Sequence, residues 1–167
     1  MLKLTALIIL AITFLLTGQY VNLRMKKRVN SLNSLIILIE SINSQISFSQ
    51  KNIMQIIEES VSDGKKDLKM ISELIKRQDS DFAENWKKTV ELFGKDDCLN
   101  SEDKKILCSF GNELGVTDLE GQSNNCRLHI DLLKKQLDSA VKTVREKTRM
   151  NTAISLFLAS VSVIIFY

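Results

Sequence analysis

Residues 110–122 read FGNELGVTDLEGQ and hold three of the six glycines in this chain of 167 residues, at positions 111, 115 and 121. A phosphate-binding loop needs glycines between a strand and a helix, with a Lys-Ser/Thr pair or a third glycine at fixed spacing. Here the spacing is G-x3-G-x5-G, no lysine lies inside it, and a helical pattern precedes it. We therefore predict a turn between two helices, with Leu114 at the end of the first and Gly115 in the left-handed conformation.

The residues after Gly115 predict the start of the second helix. Thr117 can accept a hydrogen bond from a free backbone amide there, while the Glu120 side chain accepts one from the backbone amide of Thr117, as in a capping box. Asp118 adds negative charge to the positive end of the helix dipole. Gln122 has two possible roles: a buried polar contact that stabilises the turn, or a contact with a partner.

The rest of the middle of the chain is predicted to be helical. It contains no proline, few glycines and no sustained alternation of apolar and polar residues. A heptad seam in the first long helix comprises Met25, Val29, Leu32, Ile36, Ile39 and Ile46, with Asn43 in the vacant position and Leu35, Leu38 and Ile42 beside it. A comparable stripe in the last helix comprises Ile130, Leu133, Leu137, Ala140, Val141, Val144 and Thr148.

Four shorter helices fit between these two. The second and third are predicted around residues 53–61 and 68–75. Aromatic residues mark the fourth, which we expect Gly94 to end, and Asn100 or Ser101 can cap the fifth. The fourth helix carries Phe82, Trp86, Val90 and Phe93, and the fifth carries Ile106, Leu107, Phe110 and Leu114. The predicted fold class is all-α, an antiparallel bundle of about six helices.

Both ends of the chain are apolar. Residues 4–20 and 151–167 are two segments of 17 residues without a charge. As a helix, each would be about 25 Å long, whereas the hydrocarbon core of a bilayer is about 30 Å thick. We predict an N-terminal transmembrane helix at residues 1–23, a helical bundle domain at 24–149 and a C-terminal transmembrane helix at 150–167. The alternatives are a cleaved signal peptide for the first segment and a buried core helix for the second.

Basic residues flank both apolar segments on their inner sides. This membrane collar comprises Arg24, Lys26, Lys27, Arg28, Lys142, Arg145, Lys147 and Arg149. Lysine and arginine beside membrane spans stay in the cytoplasm, so we predict a cell-membrane protein that crosses twice, with a cytoplasmic central domain. Residues 40–138 carry 14 basic and 19 acidic side chains, a net charge of −5. The charges therefore favour membrane lipids and give no support for nucleic acid as a partner.

No arrangement of reactive residues indicates an enzyme. The single histidine, His129, and Cys126 have no second close pair of ligands, and no elbow motif surrounds a serine. Cys98 and Cys108 could complete a metal site only through the fold. We predict no catalytic residue, no metal site, no cofactor and no small-molecule substrate.

The motif at 110–122, followed by a long amphipathic helix, resembles the stage III sporulation protein AB family of endospore-forming bacteria. The matching residues are Phe110, Gly111, Leu114, Gly115, Thr117, Asp118, Gly121 and Gln122. The MLKL start, the apolar run, the basic collar and the apolar C-terminus also match. The resemblance covers essentially the whole chain.

This resemblance implies a function that the spacing does not show. The family's cytoplasmic domain is similar to the six-helix domain of the type II secretion inner-membrane platform protein. Members sit in the mother-cell membrane around the forespore, in a transenvelope channel with a secretion-type ATPase, stage III sporulation protein AA, and other channel subunits. We expect a non-catalytic scaffold that docks this ATPase. The alternative is an extracytoplasmic, membrane-anchored helical module for adhesion or sensing, with an N-terminal leader.

Overall fold

The computed structural model describes residues 2–48, 55 and 82–166, and in these ranges it describes no side chain of residues 2–8, 10, 11, 47, 48, 96, 162, 163, 165 and 166. In these ranges the chain forms four helices: α1 (Leu2–Phe48), α2 (Phe82–Asp96), α3 (Ser101–Glu113) and α4 (Leu119–Phe166). The predicted all-α class is confirmed. The predicted second and third helices, around residues 53–61 and 68–75, lie outside the described residues except for residue 55, which is helical.

The chain divides into two compact units. Unit 1 comprises Met1–Val29 and Ser139–Tyr167, and unit 2 comprises Asn30–Asp138. The long helices α1 and α4, of 47 and 48 residues, contribute to both units. Each of these two helices therefore extends without a break from unit 2 into an apolar end of the chain.

Unit 2 has a hydrophobic core that buries the predicted heptad seam of α1 from Leu32 onward, whereas Met25 and Val29 at the start of the seam are half-buried and belong to unit 1. Its α1 residues are Leu32, Leu35, Ile36, Leu38, Ile39, Ile42 and Ile46, joined by Ile130 and Leu133 of α4. Asn43, in the vacant position of the seam, is half-buried. Lys134 and Glu40, whose side chains are 3.0 Å apart, form an ion pair between the antiparallel helices. This pair is about half exposed and contributes little to stability.

The aromatic residues of α2 belong to the same core, as predicted. Trp86, Val90 and Phe93 are buried, and Phe82 is half-buried. The Trp86 indole donates a hydrogen bond of 2.7 Å to the Leu107 carbonyl of α3, so its one polar atom is satisfied inside the core.

Two details of the sequence prediction are wrong. Gly94 does not end α2, which continues to Asp96. A Cβ at Gly94 would meet the flexible end of the Lys104 side chain of α3. Val141, assigned to the apolar stripe of α4, is exposed, whereas the neighbouring Ala140 is buried.

In unit 1, the two ends of the chain pair as antiparallel helices. The Asn151 amide donates to the Asn22 side-chain oxygen at 3.2 Å, and the Asn22 amide donates to the Thr152 hydroxyl at 3.4 Å. A Cβ at Gly18 would overlap the side chain of Ser155. Small and polar residues therefore form the contact between these helices.

Many large apolar residues of unit 1 are exposed. They include Ile9, Ile12, Leu15, Leu16, Val21, Leu23, Ile154, Leu156, Phe157, Leu158 and Ile164. Among the residues described, none of the helices offers an apolar stretch of the length that crossing a membrane requires.

Candidate interaction site at the turn between α3 and α4

The helix that leads into the turn begins with a capping box. The Asn100 side chain accepts from the Asp103 amide at 2.7 Å, and the Asp103 carboxylate accepts from the Asn100 amide at 2.9 Å. Asn100, one of the two predicted caps, thus provides a hydrogen-bond acceptor for a free backbone amide at the start of α3. Asp103 is fully buried in this role, so this acidic side chain belongs to the cap and is not part of the solvated surface.

Phe110 and Gly111 anchor the end of α3 in the core. Phe110 is fully buried between Trp86 and His129, with edge-on ring contacts at centroid distances of 5.8 Å and 5.5 Å. Gly111 is buried directly against the Trp86 indole, and a Cβ at this position would overlap the ring. The phenylalanine-glycine pair of the motif therefore fixes how closely α3 packs on α2.

Gln122 stabilises the turn through hydrogen bonds of its buried side chain. Its side-chain oxygen accepts from the Gly115 amide at 3.0 Å. Its side-chain nitrogen donates to the Thr117 hydroxyl at 3.0 Å and lies 3.3 Å from the Glu113 carbonyl. Gln122 is only 3% exposed, although its partners are at the surface. It therefore makes the buried polar contact that was one of its two predicted roles.

Gly115 adopts the predicted left-handed conformation. Its φ is 86°, and the Leu114 amide donates to the Phe110 carbonyl at 3.1 Å. Residues with a Cβ adopt this conformation at a cost of about 1–2 kcal/mol. Leu114 is buried, so α3 ends with an apolar anchor followed by a sharp change of direction.

The predicted capping box of α4 is wrong by one residue. The helix begins at Leu119, and the Asp118 carboxylate accepts from the Gly121 amide at 3.0 Å, so Asp118 is the cap. Thr117 is unsuited to that role because its hydroxyl accepts from Gln122. Gly121, the residue at the box position, has no side chain to reach back with, and a Cβ on it would lie 2.6 Å from the Thr117 hydroxyl.

The outer side of the same turn carries two apolar residues, Val116 and Leu119, that the sequence analysis did not single out. Val116 is 74% exposed and Leu119 is 69% exposed. Glu113, Asp118 and Glu120 are exposed beside them. The only sequence signal for Val116 and Leu119 is that they are apolar and lie between the residues of the motif that form the turn and the helix cap.

The histidine and cysteines are dispersed. His129 is buried, and its Nδ1 lies 3.0 Å from the Asn125 carbonyl, where it donates a hydrogen bond as the Nδ1–H tautomer. Burial raises the pKa of the Cys126 thiol to about 11. Cys98 and Cys108 are half-buried. In the described part of the chain, no group of three or more His, Cys, Asp or Glu side chains could hold a metal ion.

The basic collar gathers in unit 1. Its residues on α1 (24 and 26–28) and on α4 (142, 145, 147 and 149) all belong to that unit. All are exposed except Arg28, which is half-buried. The Arg24 guanidinium lies 5.9 Å from the centre of the Tyr20 ring, a cation–π contact at the boundary of the apolar segment. Their role at a membrane remains a prediction.

The turn offers a fixed surface but no reactive group. Its buried and capping residues hold the backbone in one shape, while its outward residues are apolar or acidic. Exposed apolar residues beside charged ones are typical of surfaces that contact other proteins.

Comparison with known proteins points to one family. The model of the family described as stage III sporulation protein AB matches residues 3–167. No curated protein and no solved structure matches the chain. Because the family match spans nearly every residue, including the turn just described, the chain belongs to the stage III sporulation protein AB family.

Proposed function

We propose that this protein is a membrane-anchored, non-catalytic scaffold subunit of a secretion-like channel between mother cell and forespore. Its place is the mother-cell membrane around the forespore, with unit 2 in the cytoplasm. There it docks the secretion-type ATPase, stage III sporulation protein AA, and contacts other channel subunits. A role in sporulation follows from the family, and the rest is the proposal.

The distribution of side chains in unit 1 carries the proposal of a membrane anchor. Gly18, Asn22, Ser155 and Ala159 are buried between the helices, while large apolar side chains are exposed on both of them. In water the hydrophobic effect favours the reverse arrangement. Helix pairs in lipid bring small residues together, hydrogen-bond through polar side chains and turn their large apolar residues to the acyl chains.

The collar supports the proposed orientation. Eight lysine and arginine residues lie just inside the two uncharged segments. Such residues are retained on the cytoplasmic side, and each attracts anionic headgroups with about 1 kcal/mol. Residues 40–138 have a net charge of −5, so the central unit has no such attraction to the membrane surface.

Cysteine labelling in intact cells tests the orientation. In a variant with Cys108→Ser and Cys126→Ser, Cys98 is the one remaining thiol. In vegetative cells that express this variant, we expect an impermeant maleimide to leave Cys98 unlabelled until the membrane is opened. A cysteine added after Tyr167 is the control and should label from outside. Labelling of Cys98 in unbroken cells would favour the extracytoplasmic alternative.

A binding measurement tests the docking role. The full chain in detergent micelles should bind the purified ATPase, and the affinity should fall as salt concentration rises, because charge complementarity is screened. A chain that is folded and still fails to bind at low salt would contradict docking of this ATPase without affecting the membrane anchor.

A further inference from the structure

The turn between α3 and α4 exposes an apolar pair within an acidic surround. Val116 and Leu119 are 74% and 69% exposed, and the carboxylates of Glu113, Asp118 and Glu120 are exposed beside them. We call these five residues the tip. Large apolar residues grouped on a surface and rimmed by polar ones are typical of contact sites between proteins.

The charge around the tip restricts what can bind there. No lysine or arginine lies between Lys105 and Arg127, so no basic residue in this stretch neutralises the three carboxylates. Anionic lipid headgroups and nucleic acid phosphates would be repelled. A second copy of unit 2 is also disfavoured, because residues 40–138 have a net charge of −5. Charge complementarity therefore selects a basic protein surface.

Hydrogen bonds constrain the backbone of the tip. Gln122 hydrogen-bonds to Gly115 and Thr117, and Asp118 caps α4 through the Gly121 amide. The residues that hold the turn belong to the family motif, whereas Val116, Leu119 and Glu120 point outward and hold nothing in place. A surface held in this way loses little conformational entropy on binding.

We propose that the tip is the docking point for a protein partner that has an apolar depression with a basic rim. The apolar pair enters the depression, and the carboxylates face the lysine or arginine side chains around it. This assignment rests on the proposed function, since it locates on unit 2 the surface through which a docking subunit engages its partner.

A paired set of variants tests the proposal in the full chain. Val116→Ser/Leu119→Ser removes the apolar pair, and Glu120→Lys reverses one charge without touching the residues that hold the turn. The control, Leu92→Ser/Leu128→Ser, removes two other exposed leucines of unit 2. All variants are checked for normal cellular level and for the same thermal unfolding as the wild type.

Two measurements test the role of the tip and the identity of its partner separately. With the ATPase stage III sporulation protein AA as the probe, we expect both tip variants to bind about tenfold more weakly or worse, and the control to bind within about twofold of the wild type. In sporulating cells, we expect the tip variants to reduce the count of heat-resistant spores and the control to leave it unchanged.

The outcomes decide separately whether the tip is the docking point and whether the ATPase is its partner. If the tip variants sporulate normally, or if the wild type binds the ATPase and the tip variants bind it equally well, the tip is not the docking point, whatever the fate of the proposed function. If the wild type does not bind the ATPase but the tip variants fail to sporulate, the choice of ATPase is wrong and the tip is supported. A photo-crosslinking residue at position 116 then identifies the partner, which must present a basic surface.

Discussion

At the scale of single residues, Gln122 connects the buried and exposed sides of the turn. Its side chain makes contacts with Glu113, Gly115 and Thr117, all of which lie in the segment before its own helix. A shorter amide cannot span these distances, and an apolar residue offers no partner to the Gly115 amide. The turn therefore depends on one side chain more than on any other that surrounds it.

We expect Gln122→Ala to destabilise the protein by about 1–3 kcal/mol, the cost of leaving polar groups unpaired in a partly buried turn. Gln122→Glu should be at least as harmful, because it keeps the acceptor for Gly115 but loses both donors and places a charge in a buried site. The measurement is urea unfolding followed by the fluorescence of Trp86, the single tryptophan.

The matched control for Gln122 is Asn124→Ala, a change at an exposed position two residues along the same helix. It should shift the free energy of unfolding by less than about 0.5 kcal/mol. Equal stability of Gln122→Ala and the control would show that water replaces the hydrogen bonds of Gln122 without loss.

Cys126 gives a prediction of pH dependence. Burial raises the pKa of its thiol to about 11, above the value of about 8.5 for an exposed thiol. Above about pH 8.5 the unfolded chain loses this proton first, so the thiol's contribution to stability is complete below that pH and is lost as the pH rises through about 11. The wild type should therefore lose stability more steeply between pH 9 and 11 than Cys126→Ala, measured by urea midpoints.

Chemical labelling checks the same thiol independently. In the native chain at neutral pH, a thiol reagent should modify the half-buried Cys98 and leave Cys126 unmodified until the protein unfolds. Peptide mapping by mass spectrometry distinguishes the two sites. Rapid labelling of Cys126 in the folded chain would contradict the burial on which its raised pKa depends.

At the scale of elements, two glycines inside helices serve different contacts. Gly111 of α3 lies against the rigid indole of Trp86, whereas Gly94 of α2 lies against the flexible end of Lys104. Alanine has a helix propensity better than that of glycine by about 1 kcal/mol. Whether the substitution helps or harms is therefore decided by the neighbour that the new methyl group meets.

We expect Gly111→Ala to destabilise the protein by about 1–3 kcal/mol, because the indole can yield only by moving the aromatic core. Gly94→Ala is its control and should be neutral or slightly stabilising, because the Lys104 side chain can move into solvent. Thermal unfolding of the two variants gives the comparison. Equal effects would mean that α3 can shift away from α2 at little cost.

Periodicity allowed the helices to be predicted, but not the contacts that decide their ends. The seam of α1 and the aromatic stripe of α2 could be predicted because one face of a helix must be buried. The cap of α4 could not, because Thr117 and Asp118 are both good caps. The choice between them depends on Gln122, whose side chain occupies the Thr117 hydroxyl.

The candidate site was predicted only in part for the same reason. The glycines and caps of the motif have local conformational roles that a sequence pattern reveals. The exposure of Val116 and Leu119 does not follow from their type, since apolar residues occur both in the core and on the surface of proteins. Only the packing of Leu114 and Gln122 inward leaves these two outside.

At the scale of the whole molecule, the two compact units differ in what they bury. Unit 2 buries large apolar side chains, as proteins in water do. Unit 1 buries Gly18, Asn22, Ser155 and Ala159, and it exposes those of its leucines and isoleucines whose side chains the structure describes. This contrast allows each unit to be perturbed and monitored separately.

We expect Gly18→Leu to separate the helices of unit 1, because even a Cβ at this position overlaps the side chain of Ser155. Cysteines at positions 22 and 151, where the two asparagine side chains hydrogen-bond, report the separation in a Cys98→Ser/Cys108→Ser background. They should crosslink readily in the parent and slowly in the Gly18→Leu variant. Thr17→Leu adds similar bulk at an exposed position and should leave crosslinking unchanged.

Because Trp86 lies in the core of unit 2, its fluorescence should be the same in all of these variants. Undiminished crosslinking in Gly18→Leu would mean that the close contact between Gly18 and Ser155 does not hold the terminal helices together.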